Sequence, residues 1–246
     1  MSGFVVVIPS RYASVRLPGK PLRDIHGKSM LHHVWERARE SNAEEVVIAT
    51  DDDRIAEAAE AFGATVCMTA EHHRSGTERI AEVADLMDWR DEQVVVNLQG
   101  DEPTMPAQLI NQCAALLDDV AADIATLASP FLSDDDFQNP NCVKVIRDTK
   151  GHAIYFSRAM IPYARDGEGT GMSAALHHHG IYAYRCGVLR RFVEAAPSDL
   201  ETSEQLEQLR ALSLGMTIAV GIPEVRPGAG VDTEEDLQRA ALELAG

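Results

Sequence analysis

Short apolar runs alternate with longer amphipathic segments along the first half of the chain. FVVVIP (4–9) is apolar and mostly β-branched, which is typical of a strand buried on both faces. Four further segments fit short buried strands: EEVVIAT (44–50), ATVCMT (64–69), EQVVVN (92–97) and ADIATLA (122–128). Each is separated from the next by enough residues for a helix, and this alternation predicts a mainly parallel sheet.

The segments between these strands carry apolar residues at helical spacing. Helices are predicted over 29–41, 52–63, 77–87 and 106–119. Ser29 is the expected N-cap of the first helix, and Gly63 is the expected glycine just past the end of the second. We therefore expect an α/β fold in which helices cover both faces of a twisted sheet.

The pattern changes after about Ser129. CVKVIRDTKGHAIYFSR (142–158) predicts an antiparallel hairpin that turns at residues 149–151, and HHGIYAYR (178–185) alternates with the period of a strand. The remainder predicts helices over 201–215 and 233–245 with a strand at 216–222. We expect one domain over residues 1–246, with a small antiparallel lobe at about 140–186.

Composition narrows the class of protein. Hydrophobic residues make up 45% of the chain and charged residues 25%, as in an ordinary globular protein. A net charge of -17 argues against nucleic acid as a partner. No apolar run is long enough to span a bilayer and no signal peptide is evident, so we expect a cytoplasmic protein without a membrane partner. The four cysteines are scattered, which favours reduced thiols over disulfides or structural zinc.

One short loop departs from this acidic character. SRYASVRLPGKPL (10–22) carries Arg11, Arg16 and Lys20, and no Asp or Glu occurs between Met1 and Arg23. Cations held together without carboxylates indicate a site for an anion, although solvated surface cations are the alternative, above all for Arg11. The loop has neither the spacing of a phosphate-binding GxxxxGK[ST] motif nor that of GxGxxG.

A second polar loop follows the strand at 92–97. In open α/β sheets ligands bind at the carboxyl ends of strands, where this loop, QGDEP (99–103), would face the basic loop. A cationic loop opposite a carboxylate suggests a phosphate and a metal ion bound side by side. Mg²⁺ is the natural metal, because it is typically held by one or two carboxylates together with substrate phosphates.

Seven segments resemble, in order, those of the 3-deoxy-manno-octulosonate cytidylyltransferase (CMP-Kdo synthetase) family. They are SRYASVRLPGKPL, HHRSGTERIAEV, VVNLQGDEP, AIYFSRAMIP, HHGIYAYR, LEQLR and GVDTEEDL. The resemblance extends over essentially the whole chain, from Val5 to about Leu237. The resemblance implies the nucleotide-diphospho-sugar transferase type of fold and a Mg²⁺-dependent enzyme. Such an enzyme transfers CMP from CTP to the anomeric hydroxyl of Kdo, for lipopolysaccharide synthesis, and forms a homodimer.

The resemblance also implies roles for individual residues. It assigns the triphosphate to Arg11, Arg16 and Lys20, of which Arg16 and Lys20 are catalytic, and the catalytic metal to Asp101 and Asp232. It assigns the cytosine to Ser75, Gly76 and Thr77. The sugar is assigned to Gln99, Arg158, His178, Tyr182, Glu207 and Gln208. Other interpretations stay open at three places. Asp232 or Thr233 fits an N-cap, Ser75 with Glu78 fits a capping box, and Glu207 fits a solvated helix face.

The His177–His179 triplet invites a metal-site interpretation, but adjacent residues of a strand point to opposite faces and would not converge.

Two rival functions share the scaffold. An amino-substituted Kdo analogue would use the same motifs, and a non-catalytic CTP sensor would keep the basic loop without needing both aspartates. An acylneuraminate cytidylyltransferase is disfavoured, because that family has a Gly/Ser/Lys-rich pattern where this chain has the basic loop.

Overall fold

The computed structural model describes residues 3–13, 16–119, 122–165 and 171–245. Its strands are β1 (Phe4–Pro9), β2 (Asp24–Ile25), β3 (Lys28–Ser29), β4 (Glu45–Thr50), β5 (Thr65–Met68), β6 (Val94–Asn97), β7 (Ile124–Pro130), β8 (Lys144–Arg147), β9 (Ala153–Ser157), β10 (Leu176–Arg185) and β11 (Ile218–Gly221). Its helices are α1 (Met30–Arg39), α2 (Asp53–Ala61), α3 (Gly76–Leu86), α4 (Ala107–Asp119), α5 (Asp134–Gln138), α6 (Cys186–Glu194), α7 (Asp199–Glu204), α8 (Gln208–Ser213) and α9 (Glu234–Leu244).

Nine of the described strands form one sheet around β1. The order is β11-β7-β10-β6-β1-β4-β5, and β8 extends the sheet by pairing with both β10 and β9. β1 pairs in parallel with β4 and β6, while β10 runs antiparallel between β6 and β7. The predicted mainly parallel sheet is confirmed, and the carboxyl ends of β1, β4 and β6 meet at one edge.

Alternate residues of β1 pack into different cores, which explains its uninterrupted apolar run. Val6 and Ile8 join α1, α2 and α4 on one face, whereas Val5 and Val7 join α3, α6 and α8 on the other. All four side chains are at most 4% exposed. Helices therefore cover both faces, as the sequence predicts, and the basic loop follows a strand whose residues are all buried.

The strands of the predicted antiparallel lobe are β8–β10, and all three belong to the nine-stranded sheet. β8 and β9 form the predicted hairpin, and β10 is the strand predicted from its alternation. Residues 166–170 of the predicted lobe lie outside the described residues. β10 also contains a register shift: His179 pairs with Leu127 and Tyr182 with Thr126, so residues 180 and 181 form a bulge.

The prediction of one continuous helix over 201–215 is wrong. The chain forms α7 and α8 instead, and Gln205 between them has a left-handed φ of 52°. This conformation ends α7 and turns the chain, so that Leu206 and Leu209 are buried in the second core. The interruption also brings Glu207 to the start of α8.

The predicted helix ends agree with the structure elsewhere. Ser29 accepts a hydrogen bond from the His32 amide at 3.2 Å, and Gly63, with φ of 84°, follows α2. In the described parts of the chain, no helix combines the length and the apolar character needed to cross a membrane.

Candidate active site

The basic loop and the loop after β6 form the walls of one cavity at the carboxyl edge of the sheet. The cavity has a volume of about 400 Å³. Six of the predicted site residues line it, namely Arg11, Arg16, Lys20, Gln99, Asp101 and Asp232. The structure thus brings together the predicted triphosphate and metal residues from three distant parts of the sequence.

Lys20 is the centre of this cavity. Its Nζ donates to Asp101 Oδ2 at 2.7 Å, to Asp232 Oδ1 at 3.0 Å and to the Val231 carbonyl at 2.7 Å. Gly19 precedes a short 3-10 helix, Lys20–Leu22, and its φ of 64° turns the loop sharply just before the lysine. Burial lowers the pKa of Lys20, but the carboxylates of Asp101 and Asp232 outweigh that effect, so its pKa is raised and the ammonium form is retained.

The two arginines of the loop are held differently. Arg16 Nη2 lies 3.0 Å from Asp232 Oδ1, and both side chains are about half exposed or more (62% and 48%). Such an exposed pair contributes about 0–1 kcal/mol, so Arg16 is easily released to another anion. Arg11 instead donates from Nη2 to the His73 carbonyl at 2.5 Å, which ties the basic loop to the segment before α3.

Asp232 is not the N-cap of the last helix. Thr233 has that position: its hydroxyl accepts from the Asp236 amide at 3.2 Å, while the Asp236 side chain accepts from the Thr233 amide. A capping box is therefore complete without the Asp232 side chain. The alternative left open by the sequence is settled at this position, because the Asp232 carboxylate faces Lys20 and Arg16.

The Ser75–Thr77 segment begins α3 beside the cavity. The Ser75 hydroxyl caps the helix by accepting from the Glu78 amide at 3.2 Å, but the Glu78 side chain accepts from the Arg74 amide, so only half of a capping box forms. A Cβ atom at Gly76 would lie 3.1 Å from Pro9 Cγ and 3.8 Å from Gln99 Oε1. Gly76 therefore lets the start of α3 pack closely against the end of β1.

Glu207 connects the predicted cytosine segment to the predicted sugar residues. Its Oε2 accepts a hydrogen bond from Thr77 Oγ1. Burial raises the pKa of Glu207, although the hydroxyls of Thr77 and Ser75 oppose the shift. Glu207 Oε1 and Gln208 Nε2 are buried and have no hydrogen-bond partner among the described residues. An acceptor and a donor on consecutive residues are thus left without a described partner at the start of α8. Glu207 lines a second cavity of about 410 Å³.

Arg158 lies beside the break between α7 and α8. Its Nε, Nη1 and Nη2 donate to the carbonyls of Glu204, Pro140 and Gln205 at 2.7, 3.0 and 3.3 Å. The guanidinium is therefore held in place by backbone oxygens, and each terminal nitrogen keeps one further N–H group.

His178 and Tyr182 lie together on β10, with ring centroids 5.3 Å apart. His178 Nε2 is 3.0 Å from Thr126 Oγ1, and that hydroxyl is 2.7 Å from the Ile181 carbonyl. The same hydroxyl is 3.2 Å from the His179 carbonyl, so the Thr126 side chain links the His178 ring to the backbone of the bulge. Burial lowers the pKa of His178 to about 3, so the ring is neutral at neutral pH.

Two further ionisable side chains near the site are buried, and the sequence does not predict their burial. Glu102 Oε2 is buried without a hydrogen bond among the described residues, and burial together with the Asp101 charge raises the pKa of Glu102 to about 8. Arg79 on α3 is completely buried next to Asp51. Glu102 lies within a segment that the sequence singles out, but its burial depends on the strand and loop packed around it.

The donor set fits a hard divalent cation. No group of three or more His, Cys, Asp or Glu side chains in the described ranges is arranged to hold a metal ion by itself. Asp101 Oδ2 and Asp232 Oδ1 nevertheless converge on one positive centre, the Lys20 ammonium, at 2.7 and 3.0 Å. Two carboxylates facing one cation match the way in which proteins hold Mg²⁺ together with substrate phosphates.

Comparison with known proteins identifies the class to which this fold and this cavity belong. A model of the cytidylyltransferase family matches residues 5–218, and the chain therefore belongs to that family of nucleotidyltransferases. It lies among the CMP-Kdo synthetases: a solved structure of CMP:2-keto-3-deoxy-manno-octonic acid synthetase, complexed with CTP, is 41% identical over 99% of both chains, with a TM-score of 0.91.

More distant structures share the fold. A 4-diphosphocytidyl-2C-methyl-D-erythritol synthase is 15% identical, with a TM-score of 0.64 over 98% of this chain and 99% of its own. A cytidylyltransferase from Leptospira borgpetersenii serovar Hardjo-bovis (strain JB197) is 19% identical, with a TM-score of 0.62 over 98% of this chain and 85% of its own. At these identities the likeness concerns the fold alone.

Proposed function

We propose that the protein transfers CMP from CTP to the anomeric hydroxyl of 3-deoxy-D-manno-octulosonate (Kdo), giving CMP-Kdo and pyrophosphate. The relative that is 41% identical is a CMP-Kdo synthetase solved with CTP, and it matches this chain from end to end. The single observation on this chain that carries the proposal is the convergence of Lys20, Asp101 and Asp232 in one cavity. A sensor of CTP would have no need of two carboxylates at that point.

The basic loop is proposed to bind the triphosphate. Lys20 and Arg16 lie in the same cavity, and each contacts a carboxylate of the protein. Phosphate oxygens are anionic acceptors of the same kind and would take the place of these carboxylates. As the bond to the α-phosphorus breaks, negative charge moves to the leaving pyrophosphate, and fixed cations stabilise it there. We assign Arg11 to the same phosphates, from its place on the cavity wall.

Asp101 and Asp232 are proposed to hold Mg²⁺. When bound there, the ion offsets charge on the α-phosphate and lowers the pKa of the attacking hydroxyl. Without the ion, the ammonium group of Lys20 occupies the point between the two carboxylates.

The cytosine is assigned to Ser75, Gly76 and Thr77. These residues begin α3, where the Ser75 hydroxyl caps the helix and the Thr77 hydroxyl donates to Glu207. The close contact of Gly76 with Pro9 supports this assignment, since it sets the start of α3 directly beside the end of the strand that carries the basic loop.

The sugar is assigned to residues that surround the break between α7 and α8 and the bulge of β10. They are Gln99, Arg158, His178, Tyr182, Glu207 and Gln208. Arg158 keeps one N–H group on each terminal nitrogen, which suits a carboxylate. The unpartnered Glu207 Oε1 and Gln208 Nε2 offer an acceptor and a donor to sugar hydroxyls.

We further propose a homodimer formed through the β8–β10 lobe. Large apolar side chains in and beside this lobe are exposed to solvent, among them Leu132 (82%), Ile154 (60%), Met160 (52%) and Tyr163 (88%). Exposed apolar groups that gather in one region commonly mark an interface. Light scattering of the wild type and of Ile154→Glu tests this: the wild type should have twice the chain mass and the variant should not.

Because CTP is a cytoplasmic metabolite, we propose that the reaction occurs in the cytoplasm and supplies CMP-Kdo for lipopolysaccharide synthesis. Pyrophosphate release from CTP, Mg²⁺ and Kdo tests the activity. Parallel reactions replace Kdo by N-acetylneuraminate, replace CTP by UTP or add excess EDTA. Release that needs Kdo, prefers CTP and stops with EDTA supports the proposal.

The same assay separates the alternatives. An amino-substituted Kdo analogue that is turned over much faster than Kdo would change the assigned sugar and leave the reaction class intact. CTP binding with no release for any sugar would favour a sensor and contradict the proposed transfer.

A further inference from the structure

Among the described residues, Arg79 has the largest side chain that is completely buried. Its guanidinium lies at the carboxyl ends of β4 and β5, where Nη1 donates to Thr69 Oγ1 and Nη2 is 3.1 Å from Asp51 Oδ2. The Thr69 hydroxyl in turn donates to the Thr50 carbonyl at 3.1 Å. A charge removed from water in this way is stable only where neighbouring groups compensate it.

The compensation of Arg79 is incomplete. Its Nε and Nη2 atoms are buried and make no hydrogen bond with any described residue. Asp51 is the carboxylate that faces it, and the Asp51 side chain is 19% exposed. Full burial with unused donors is uncommon for arginine, and a purely structural role would be served better by a saturated set of partners.

A second guanidinium, that of Arg11, contacts the same connecting segment between β5 and α3 as Arg79 does. Burial lowers the pKa of Arg11, the charge of Arg79 lowers it further, and Asp51 and Glu78 act in the opposite direction. Arg11 therefore lies within electrostatic reach of both Arg79 and Asp51. Arg11 also donates to the His73 carbonyl, which lies between β5 and α3.

We propose that Arg79 is a positioning residue for the nucleotide. Through Thr69 it holds the segment between β5 and α3, whose His73 carbonyl accepts a hydrogen bond from Arg11, and it thereby keeps the guanidinium of Arg11 in place. The inference rests on the proposed function, since it takes Arg11 as a phosphate contact.

The planar fork of arginine explains why this residue type is required. Nη1 contacts Thr69, which follows β5, while Nη2 contacts Asp51, which follows β4. A lysine at this position has a single ammonium group and cannot bridge both directions in a fixed geometry. Arg79→Lys therefore keeps the charge and loses the bridge.

Titration calorimetry of the full chain with CTP, CDP and CMP tests the inference without any sugar. Arg79→Lys should weaken CTP binding about tenfold and CMP binding by less than about threefold, because the effect passes through a phosphate contact. In an Arg11→Met background, Arg79→Lys should change CTP affinity by less than about twofold. Asp51→Asn should reproduce the pattern of Arg79→Lys, and it serves as the second variant if the lysine variant does not fold.

Arg190→Met is the matched control. Arg190 holds the other end of α3 through Asp85 and the Ala84 carbonyl. This variant should lower the melting temperature and leave CTP affinity unchanged.

Equal losses for CTP and CMP, or effects of Arg79→Lys and Arg11→Met that simply add, would overturn the positioning role. The same conclusion would follow if Arg79→Lys bound CTP like the wild type. If the wild type itself failed to bind CTP, the proposed function would be wrong, and this inference with it.

Discussion

The Nζ atom of Lys20 lies 2.7 Å from Oδ2 of Asp101, on the other wall of the cavity and 81 residues along the chain. The same ammonium group is 3.0 Å from Asp232. One cation of the protein thus occupies the point at which two carboxylates meet. The arrangement implies competition, since a metal ion and Lys20 would be attracted to the same pair of oxygens.

Lys20→Met should therefore change metal binding and catalysis in opposite directions. Without the ammonium, the two carboxylates have no common partner, and Mg²⁺ in the absence of nucleotide should bind about tenfold more tightly. Turnover should fall about a hundredfold or more, because the phosphates lose a fixed cation. Calorimetry with Mg²⁺ and the pyrophosphate assay measure the two effects.

Lys28→Met is the control for this prediction, because Lys28 pairs with Glu36 on α1. It should alter neither Mg²⁺ affinity nor turnover. Unchanged Mg²⁺ affinity in Lys20→Met would contradict the idea that lysine and metal share one position.

Asp232 and Thr233 are neighbours whose substitutions should have different consequences. Asp232→Asn removes a carboxylate of the proposed metal site and should abolish most activity with little change in the free energy of unfolding. Thr233→Ala removes the helix cap and should cost about 1 kcal/mol of stability while most activity is retained. Urea unfolding and the pyrophosphate assay, run on both variants, decide the matter. Equal loss of activity in both would mean that the cap and the site are not separate.

The contact between Thr77 and Glu207 should couple the two substrates. Thr77→Val removes the hydrogen bond to Glu207, so the KM should rise several-fold for the sugar as well as for CTP. Gln208→Ala lies beside Glu207 but makes no such contact, and it should raise the KM for the sugar alone. Steady-state kinetics with each substrate varied in turn give the answer. A Thr77→Val variant with a normal sugar KM would show that Glu207 is held by other means.

His178 should make the fold sensitive to acid. Its pKa in the folded chain is about 3, against an ordinary value of 6.5, so the unfolded chain binds more protons between these values. The contribution of His178 to stability is complete above pH 6.5 and is lost as the pH falls toward 3, with about 2 kcal/mol lost by pH 5.

Urea unfolding of the wild type and His178→Gln at pH 7 and pH 5 tests this. Glutamine keeps a donor for Thr126 and cannot be protonated, so the difference in unfolding free energy between the two proteins should shift in favour of the variant at pH 5. A difference that does not change with pH would show that His178 is accessible to protons in the folded state.

The hydrophobic pattern of the sequence was sufficient to predict the sheet and most helices, because the residues of a buried strand such as β1 are themselves apolar. It was insufficient at 201–215, where the apolar spacing continues smoothly across the break. The left-handed conformation of Gln205 has no signature in that spacing, since it is favoured by how Leu206 and Leu209 pack in the second core.

Part of the site could likewise be predicted from the sequence, and part could not. The gathering of Lys20 and Asp101 in one cavity follows from a rule about strand ends, and the sequence carries both residues in recognisable segments. Arg79 was not predicted to be buried, because a charged residue on an amphipathic helix normally faces solvent. Its burial depends on Asp51 and Thr69, whose proximity only the folded sheet creates.

The bulge in β10 has a consequence for how this protein can vary. Four residues of regular strand would separate His178 from Tyr182 by about 13 Å. Their pairing partners on β7, Ala128 and Thr126, are only two positions apart, and the two rings lie 5.3 Å from each other. The proximity of the rings is therefore fixed by the number of residues between them, so a deletion at 180 or 181 would separate the pair while every side chain of the proposed sugar site kept its identity.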